Sequence, residues 1–291
     1  MSNIPYKITS YPVIIHSRVL QRFQKSWIDL MTAYETSQER LQGEGGVFDQ
    51  VLDHIRDDSK SDAISFNEAA TTMAEIIFAN KDVLQPALIW LLTDLLTYPT
   101  HLETLPLPQS WETIDKATLE TSFPDLLHLI QESSRVHPPI PTSLPEITDK
   151  ELQLSNYMLP KGTKVSIDLY SMNHNPKYWS SPQEFIPDRF KELDPFTAKW
   201  GFFRFGFGGR RCPGQYYANL ILANATARLF SRFKLIPVNK NGISNHQDVP
   251  LLGPGFFTML PDVKVTVIEK GNLTKAFIYI LNNTNIILIS R

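Results

Sequence analysis

From Ser65 to Pro99 the sequence reads as one unbroken helix, and a helix of that length dictates much of what surrounds it. Ser65-Phe66-Asn67-Glu68 has the spacing of a capping box, in which serine and glutamate satisfy each other's free backbone donors. Met73, Ile76, Ile77, Leu84, Leu88, Trp90, Leu91 and Leu95 follow before Pro99 stops the run. About 32 residues at 1.5 Å each give roughly 48 Å, enough to cross a whole domain. Its middle is apolar on most sides and must therefore be wrapped by other elements. Into that middle are set Asn80, Lys81, Asp82 and Pro86. A partly wet face is the simpler account of the polar three; a functional group carried to depth is the other. Pro86 has no N–H for the carbonyl four residues back, which is that of Asp82 itself. A kink there would free that oxygen to hold a water.

The rest of the chain supplies shorter elements. Residues 11–60 read as two helices around the break Gly43-Glu44-Gly45-Gly46, with His16 and His54 as surface or packing residues. The stretch from Thr100 to Glu120 is Pro-rich and weakly patterned. Pro124 to Arg135 is a helix closed by Pro138-Pro139, with Glu132 and Arg135 three apart on one face. On its own that pair reads as a commonplace surface ion pair. Leu152, Leu154, Tyr157, Val165 and Ile167 alternate around a Pro160-Lys161-Gly162 turn, which predicts short strands. His174 has no partner at ligand spacing and is assigned to packing. Residues 233–238 and 263–268 are further strands, flanking a loop, Pro250 to Thr258, that carries Leu251, Leu252, Phe256 and Phe257. The expected class is therefore mainly α with small β-sheets (α+β). The tail, residues 271–291, reads as an edge hairpin, a membrane-contacting segment or an extension of unknown role. With 28 Lys and Arg against 30 Asp and Glu, the net charge of −2 gives no basic field for nucleic acid. No apolar run is long enough to span a bilayer, and the first residues lack a signal-peptide core.

One stretch stands apart: Phe205-Gly206-Phe207-Gly208-Gly209-Arg210-Arg211-Cys212-Pro213-Gly214. It holds the single cysteine among 291 residues, so no disulfide can form within the chain. Glycines ahead of the cysteine permit a tight turn with positive φ, and Pro213 sits where a helix running to about Phe233 would begin. A cysteine there faces the positive end of a helix dipole, which favours thiolate over thiol and suits a soft metal centre. The alternative is a buried free cysteine beside a glycine-rich turn.

Phe205-x-x-Gly208-x-Arg210-x-Cys212-x-Gly214 resembles the cysteine-ligand loop of the cytochrome P-450 (haem-thiolate monooxygenase) superfamily. Glu132-x-x-Arg135 with His137-Pro138-Pro139, and Pro187-Asp188-Arg189-Phe190, resemble its other two fixed motifs. The resemblance covers roughly residues 11–270, the C-terminal and central part of that fold, and implies a shortened haem-thiolate domain over 1–270. It implies that Cys212 ligates the iron of haem b (iron protoporphyrin IX), that Arg210 pairs with a propionate, and that Phe205 shields the sulfur. Gly214 would let the helix pass close to the porphyrin. Glu132, Arg135 and Arg189 would form a buried triad that locks the cysteine loop, and Val83, Ile140, Leu252 and Phe256 would line an apolar substrate pocket. The implied partners are O2, an apolar small molecule such as a secondary metabolite or lipid, and a reductase using NADPH. Lys191, Lys199, Arg204 and Arg211 offer that reductase a basic docking face; a merely solvated face is the other account of them. Full-length eukaryotic relatives are expected at the endoplasmic reticulum membrane, held by an N-terminal anchor that this sequence lacks.

The long helix departs from the pattern. Asp82 matches the family's proton-delivering acid, but Asn80 stands for its glycine and Val83 for its alcohol. Three readings follow: a monooxygenase in which Asp82 relays protons with a water; an enzyme that rearranges a peroxide without a reductase; and a shortened, non-catalytic chain.

Overall fold

A computed structural model describes residues 22, 25–34, 53, 65–108, 114–237, 263–270, 272–281 and 286–290. Helix α1 spans Phe66–Thr97, 32 residues, with Pro86 buried in its interior. Its capping box is made: Glu68 accepts from the Ser65 N–H at 2.8 Å and the Ser65 hydroxyl at 2.7 Å, while the Glu68 N–H donates to Ser65 Oγ at 3.2 Å. The chain divides into two units, Met1–Lys81 and Asp82–Arg291, with the boundary inside α1. In the first, the described residues form a small cluster in which Met31 and Ala70 are buried among Trp27, Ile28, Phe66 and Met73. The Gly43–Gly46 break, His16 and His54 lie outside the described residues.

The second unit holds the main core. After α2 (Pro99–Glu103) and α3 (Lys116–Thr121) comes α4 (Pro124–Val136), which starts with Pro124 in its first turn, where a missing N–H costs nothing. It ends one residue before His137 precedes Pro138, as a residue ahead of proline disfavours helix. Leu126, Leu129 and Ile130 of α4 are buried against Leu91, Leu92 and Leu95 of α1 and against Leu222, Ala223, Ala227 and Phe230 of α6 (Gln215–Arg232). Each of those large side chains contributes about 1.5–3 kcal/mol by leaving water. Asn224 of α6 ties the loop before α3 into this core, accepting from the Ile114 N–H at 2.9 Å and donating to its carbonyl at 2.8 Å.

Strands β1 (Glu146–Ile147) and β4 (Lys164–Val165) pair antiparallel, as do β2 (Leu152–Leu154) and β3 (Tyr157–Leu159). Gly162 takes φ +85° in the expected turn, a conformation that disfavours any side chain. A one-turn helix α5 (Leu169–Asn173) follows. The last sheet is an antiparallel meander, β5 (Phe233–Pro237), β6 (Val263–Glu269), β7 (Asn272–Leu281) and β8 (Ile286–Ser290), in sequence order. Val263, Val265 and Val267 alternate onto one face of β6 and are buried against Leu96, Phe233 and Leu235. The tail forms the expected hairpin: β7 pairs with β6, and β8 with β7. Among the described residues no helix is long and apolar enough to cross a membrane.

Candidate functional site

Glu132 is the centre of a dense polar network among the described residues, and α4 places it. Three residues apart on one helical face, Glu132 and Arg135 meet in a two-pronged contact, Nε to Oε2 at 2.8 Å and Nη2 to Oε1 at 2.9 Å. Arg189, from the turn Pro187–Phe190, adds its Nε to Oε1 at 3.0 Å, and the Ile186 N–H donates to the same oxygen at 2.8 Å. Glu132 and Arg135 are both 0% exposed, so the pair that reads as a surface contact from sequence alone is fully buried. The structure thus brings Glu132, Arg135 and Arg189 together. Two guanidinium groups on one carboxylate leave a surplus positive charge, which backbone carbonyls meet: Asn173, Pro182 and Glu184 for Arg135, Ser180 and Ser181 for Arg189. Trp179, buried between them, lies 5.2 Å from the Arg135 guanidinium and 5.9 Å from that of Arg189, and its indole N–H donates to the Gly201 carbonyl. Residues 173 to 201 are thereby fixed just ahead of the cysteine loop.

A second buried polar contact joins α1 to the turn after α4. His137 Nε2 lies 3.2 Å from Asp94 Oδ1, and its ring stacks on Trp90 at 3.8 Å and 10°. Sequence reasoning passed over Asp94, since an acid near a helix end reads as solvated. The available signal was its spacing, four residues after Trp90 on an apolar face. His174 is buried too, its Nδ1 2.9 Å from the Tyr170 carbonyl; burial pushes its imidazole down to about 4.

In the cysteine loop the Cys212 N–H donates to the Phe205 carbonyl at 2.8 Å, closing a turn in which Gly206 and Gly208 take φ +76° and +68°. These are the left-handed values that the glycines make possible. Helix α6 begins at Gln215 with Gly214 as its cap, so Pro213 precedes the helix rather than opening it. A residue ahead of it, Cys212 is exposed, with its thiol free. An added Cβ at Gly208 or Gly209 would meet nothing within 4 Å, whereas one at Gly214 would touch the sulfur at 3.6 Å, an ordinary contact. Phe205 is half-buried; Arg210 lies in the short turn Gly208–Arg210, and its side chain is outside the described residues.

Could this site hold an iron porphyrin? Among the described residues no group of three or more His, Cys, Asp or Glu side chains could hold a metal ion. A single exposed sulfur, in a loop with room beyond Gly208 and Gly209, suits a metal that arrives with its own chelating ring and needs one protein ligand. The residues present fit the group.

The remaining sequence candidates scatter. Asp82 lies on α1 with its side chain outside the described residues, Val83 and Ile140 are half-buried, and Leu252 and Phe256 fall outside the described residues. The basic cluster divides. Lys191 is taken by Asp188 at 3.0 Å and Asp125 at 3.4 Å, which raise its pKa. Arg204 turns onto Asn219, and Lys199 and Arg211 stay exposed.

The known proteins most like this chain share one family. The family model described as cytochrome P450 matches residues 4–261. Cytochrome P450 71B38 of Arabidopsis thaliana is 32% identical over 218 residues, covering 69% of this chain and 42% of that protein. Carnosic acid synthase of Salvia pomifera is 30% identical over 193 residues, 64% of this chain and 39% of that protein. A zebra fish cytochrome P450 solved with progesterone shares the fold, with a TM-score of 0.66 at 23% identity over 85% of this chain and 57% of that one. The chain spans about two fifths of the length of the curated relatives it matches, 42% and 39% for the two named.

Proposed function

The chain belongs to the cytochrome P450 family, and we propose that it is a haem-thiolate monooxygenase. The reaction inserts one atom of O2 into an apolar small molecule and reduces the other to water, with two electrons drawn from NADPH through a partner reductase. The observation that carries this reading is the lone exposed Cys212, at the end of a positive-φ glycine turn with room for side chains at Gly208 and Gly209. When bound there, iron protoporphyrin IX supplies the redox chemistry, and a cysteine ligand pushes electron density toward O–O cleavage. The chain's own residues do the rest. Glu132, Arg135 and Arg189 hold the strap leading to the loop, Phe205 shields the sulfur, and Arg210 pairs with a propionate. Gly214 caps the helix behind the cysteine. Asp82 moves protons with a water held at its own carbonyl, which Pro86 cannot occupy with an N–H.

The resemblance assigns Val83, Ile140, Leu252 and Phe256 to an apolar pocket, which suits a secondary-metabolite or lipid-like substrate. Relatives named carnosic acid synthase and ferruginol synthase support a secondary metabolite. Exposed Lys199 and Arg211 remain for an acidic reductase. Val83, in the place of an alcohol, favours a second reading, the rearrangement of a peroxide without a reductase; dependence on NADPH separates the two.

The test is the difference spectrum of the reduced protein with and without carbon monoxide. A strongly red-shifted Soret band is expected. No haem band would refute the proposal, and a band at the unshifted position would refute thiolate ligation by Cys212.

A further inference from the structure

Arg204 opens the cysteine loop, one residue before the Phe205 carbonyl that receives the Cys212 N–H. It is half-buried, and its guanidinium is committed to neutral groups: it lies 4.6 Å over the Phe205 ring and donates through Nη1 to Asn219 Oδ1 on α6 at 2.7 Å. Among the described residues the other two cations withdrawn from solvent, Arg135 and Arg189, have an acid. They share Glu132. Among the described residues no ion pair is made by Arg204. Desolvation alone lowers its pKa, to about 9, so it remains charged at neutral pH. A cation drawn from water without a counter-ion is destabilised unless an anion compensates it. The protein part of the loop supplies none while Cys212 is a neutral thiol. Ligation converts that thiol to a thiolate and brings in the anionic porphyrin.

We propose that Arg204 is the charge-compensating residue of the cysteine loop, a positioning cation that stabilises the ligated thiolate and tunes the potential of the bound iron. This rests on the haem-thiolate reading. Because the reduced centre carries one more negative charge than the oxidised one, a fixed cation on the loop that ligates it favours reduction. Loss of the charge should therefore make the iron harder to reduce. Asn219 and Phe205 are neutral, so their contacts leave its charge available to the centre.

The experiment compares haem-loaded wild-type protein with Arg204→Gln, Arg204→Lys and Asn219→Leu. The midpoint potential of the Fe(III)/Fe(II) couple is read by dithionite titration in an optical cell, alongside the reduced carbon monoxide spectrum. Arg204→Gln should disfavour reduction about tenfold, a shift of about 59 mV to more negative potential for one electron. Arg204→Lys, which keeps the charge, and Asn219→Leu, which keeps the cation and loses the hydrogen bond, should stay near wild type. An unchanged potential in Arg204→Gln overturns the proposal while leaving the haem-thiolate reading intact. So does an equal shift in Asn219→Leu, which would assign the effect to the hydrogen bond. If Arg204→Gln takes up no haem, Arg204→Lys decides: wild-type potential supports the role of charge, and loss of haem there too overturns it. A wild-type chain without the red-shifted band fails at the earlier step and removes the reading itself.

Discussion

Replacing Glu132 with alanine removes one carboxylate that receives four hydrogen bonds, two from Arg135, one from Arg189 and one from the Ile186 N–H. Both guanidinium groups stay where they are, since Arg135 keeps three carbonyl acceptors and Arg189 keeps Ser180 and Ser181. The variant therefore has two cations and no counter-charge in a place where Arg135 is 0% exposed. Breaking a buried pair by deleting one partner costs about 3–5 kcal/mol. The orphaned Ile186 amide adds about 1–3 kcal/mol. The sum, roughly 4–8 kcal/mol, is comparable with the entire stability of an ordinary domain, about 5–15 kcal/mol. Glu132→Ala should therefore unfold at a much lower urea concentration and hold no haem. Glu132→Gln, which keeps an acceptor and the shape, should lose about half as much. Glu132→Ala combined with Arg135→Met should recover part of the loss, because it withdraws one unpaired cation. A Glu132→Ala protein within about 1 kcal/mol of wild type, carrying full haem, would refute the argument that the two arginines depend on this charge.

Three further outcomes are expected. Asp82→Asn should lower turnover at least tenfold with haem content unchanged, read from product formation per unit Soret absorbance; equal turnover would remove the proton-relay role. Burial holds His174 neutral down to about 4, against 6.5 in the unfolded chain, where it takes a proton the folded chain refuses. Its contribution is thus full above pH 6.5 and declines as pH falls to about 4, by about 2–3 kcal/mol once solvent screening is allowed for. Urea titrations across that range should show His174→Gln with the shallower slope, with Tyr170, Arg135, His137 and Glu132 as the neighbours to hold constant. Asp94→Ala should cost about 3 kcal/mol and Asp94→Asn less, because the amide retains an acceptor for His137; equal thermal midpoints for wild type and Asp94→Ala would show that the contact carries no energy.

Some of this was legible in residues alone. Helix α1 was, because a capping box, an apolar stretch and a closing proline act locally and in agreement. The alternation around Leu235 and Val265 likewise gave β5 and β6, since period-2 burial is a backbone property. The Glu132 network was legible only through resemblance: spacing puts two charges on one face but says nothing of what covers that face. The same blindness explains the basic cluster. Lys191, Arg204 and Arg211 look alike as charges, yet one faces two acids, one faces Phe205 and one is exposed. Asp94 was missed because burial of an acid depends on a partner 43 positions away, His137, which no local pattern reveals. The strands after Lys270 were seen as a tail, and their pairing with β6 follows from the sheet edge that β5 and β6 leave open.

The two arginines read the main chain between Asn173 and Glu184, not its side chains, since every acceptor they use there is a backbone carbonyl. Such a segment is constrained in an unusual currency. Substitutions at exposed Ser180 or Glu184 leave the acceptors in place, so the lettering of this strap is free to drift among descendants. Its count of residues is not, because a single insertion would move the carbonyls out of reach of both guanidinium groups at once. In a saturation library the strap should tolerate nearly any exchange at those two positions and almost no change of length.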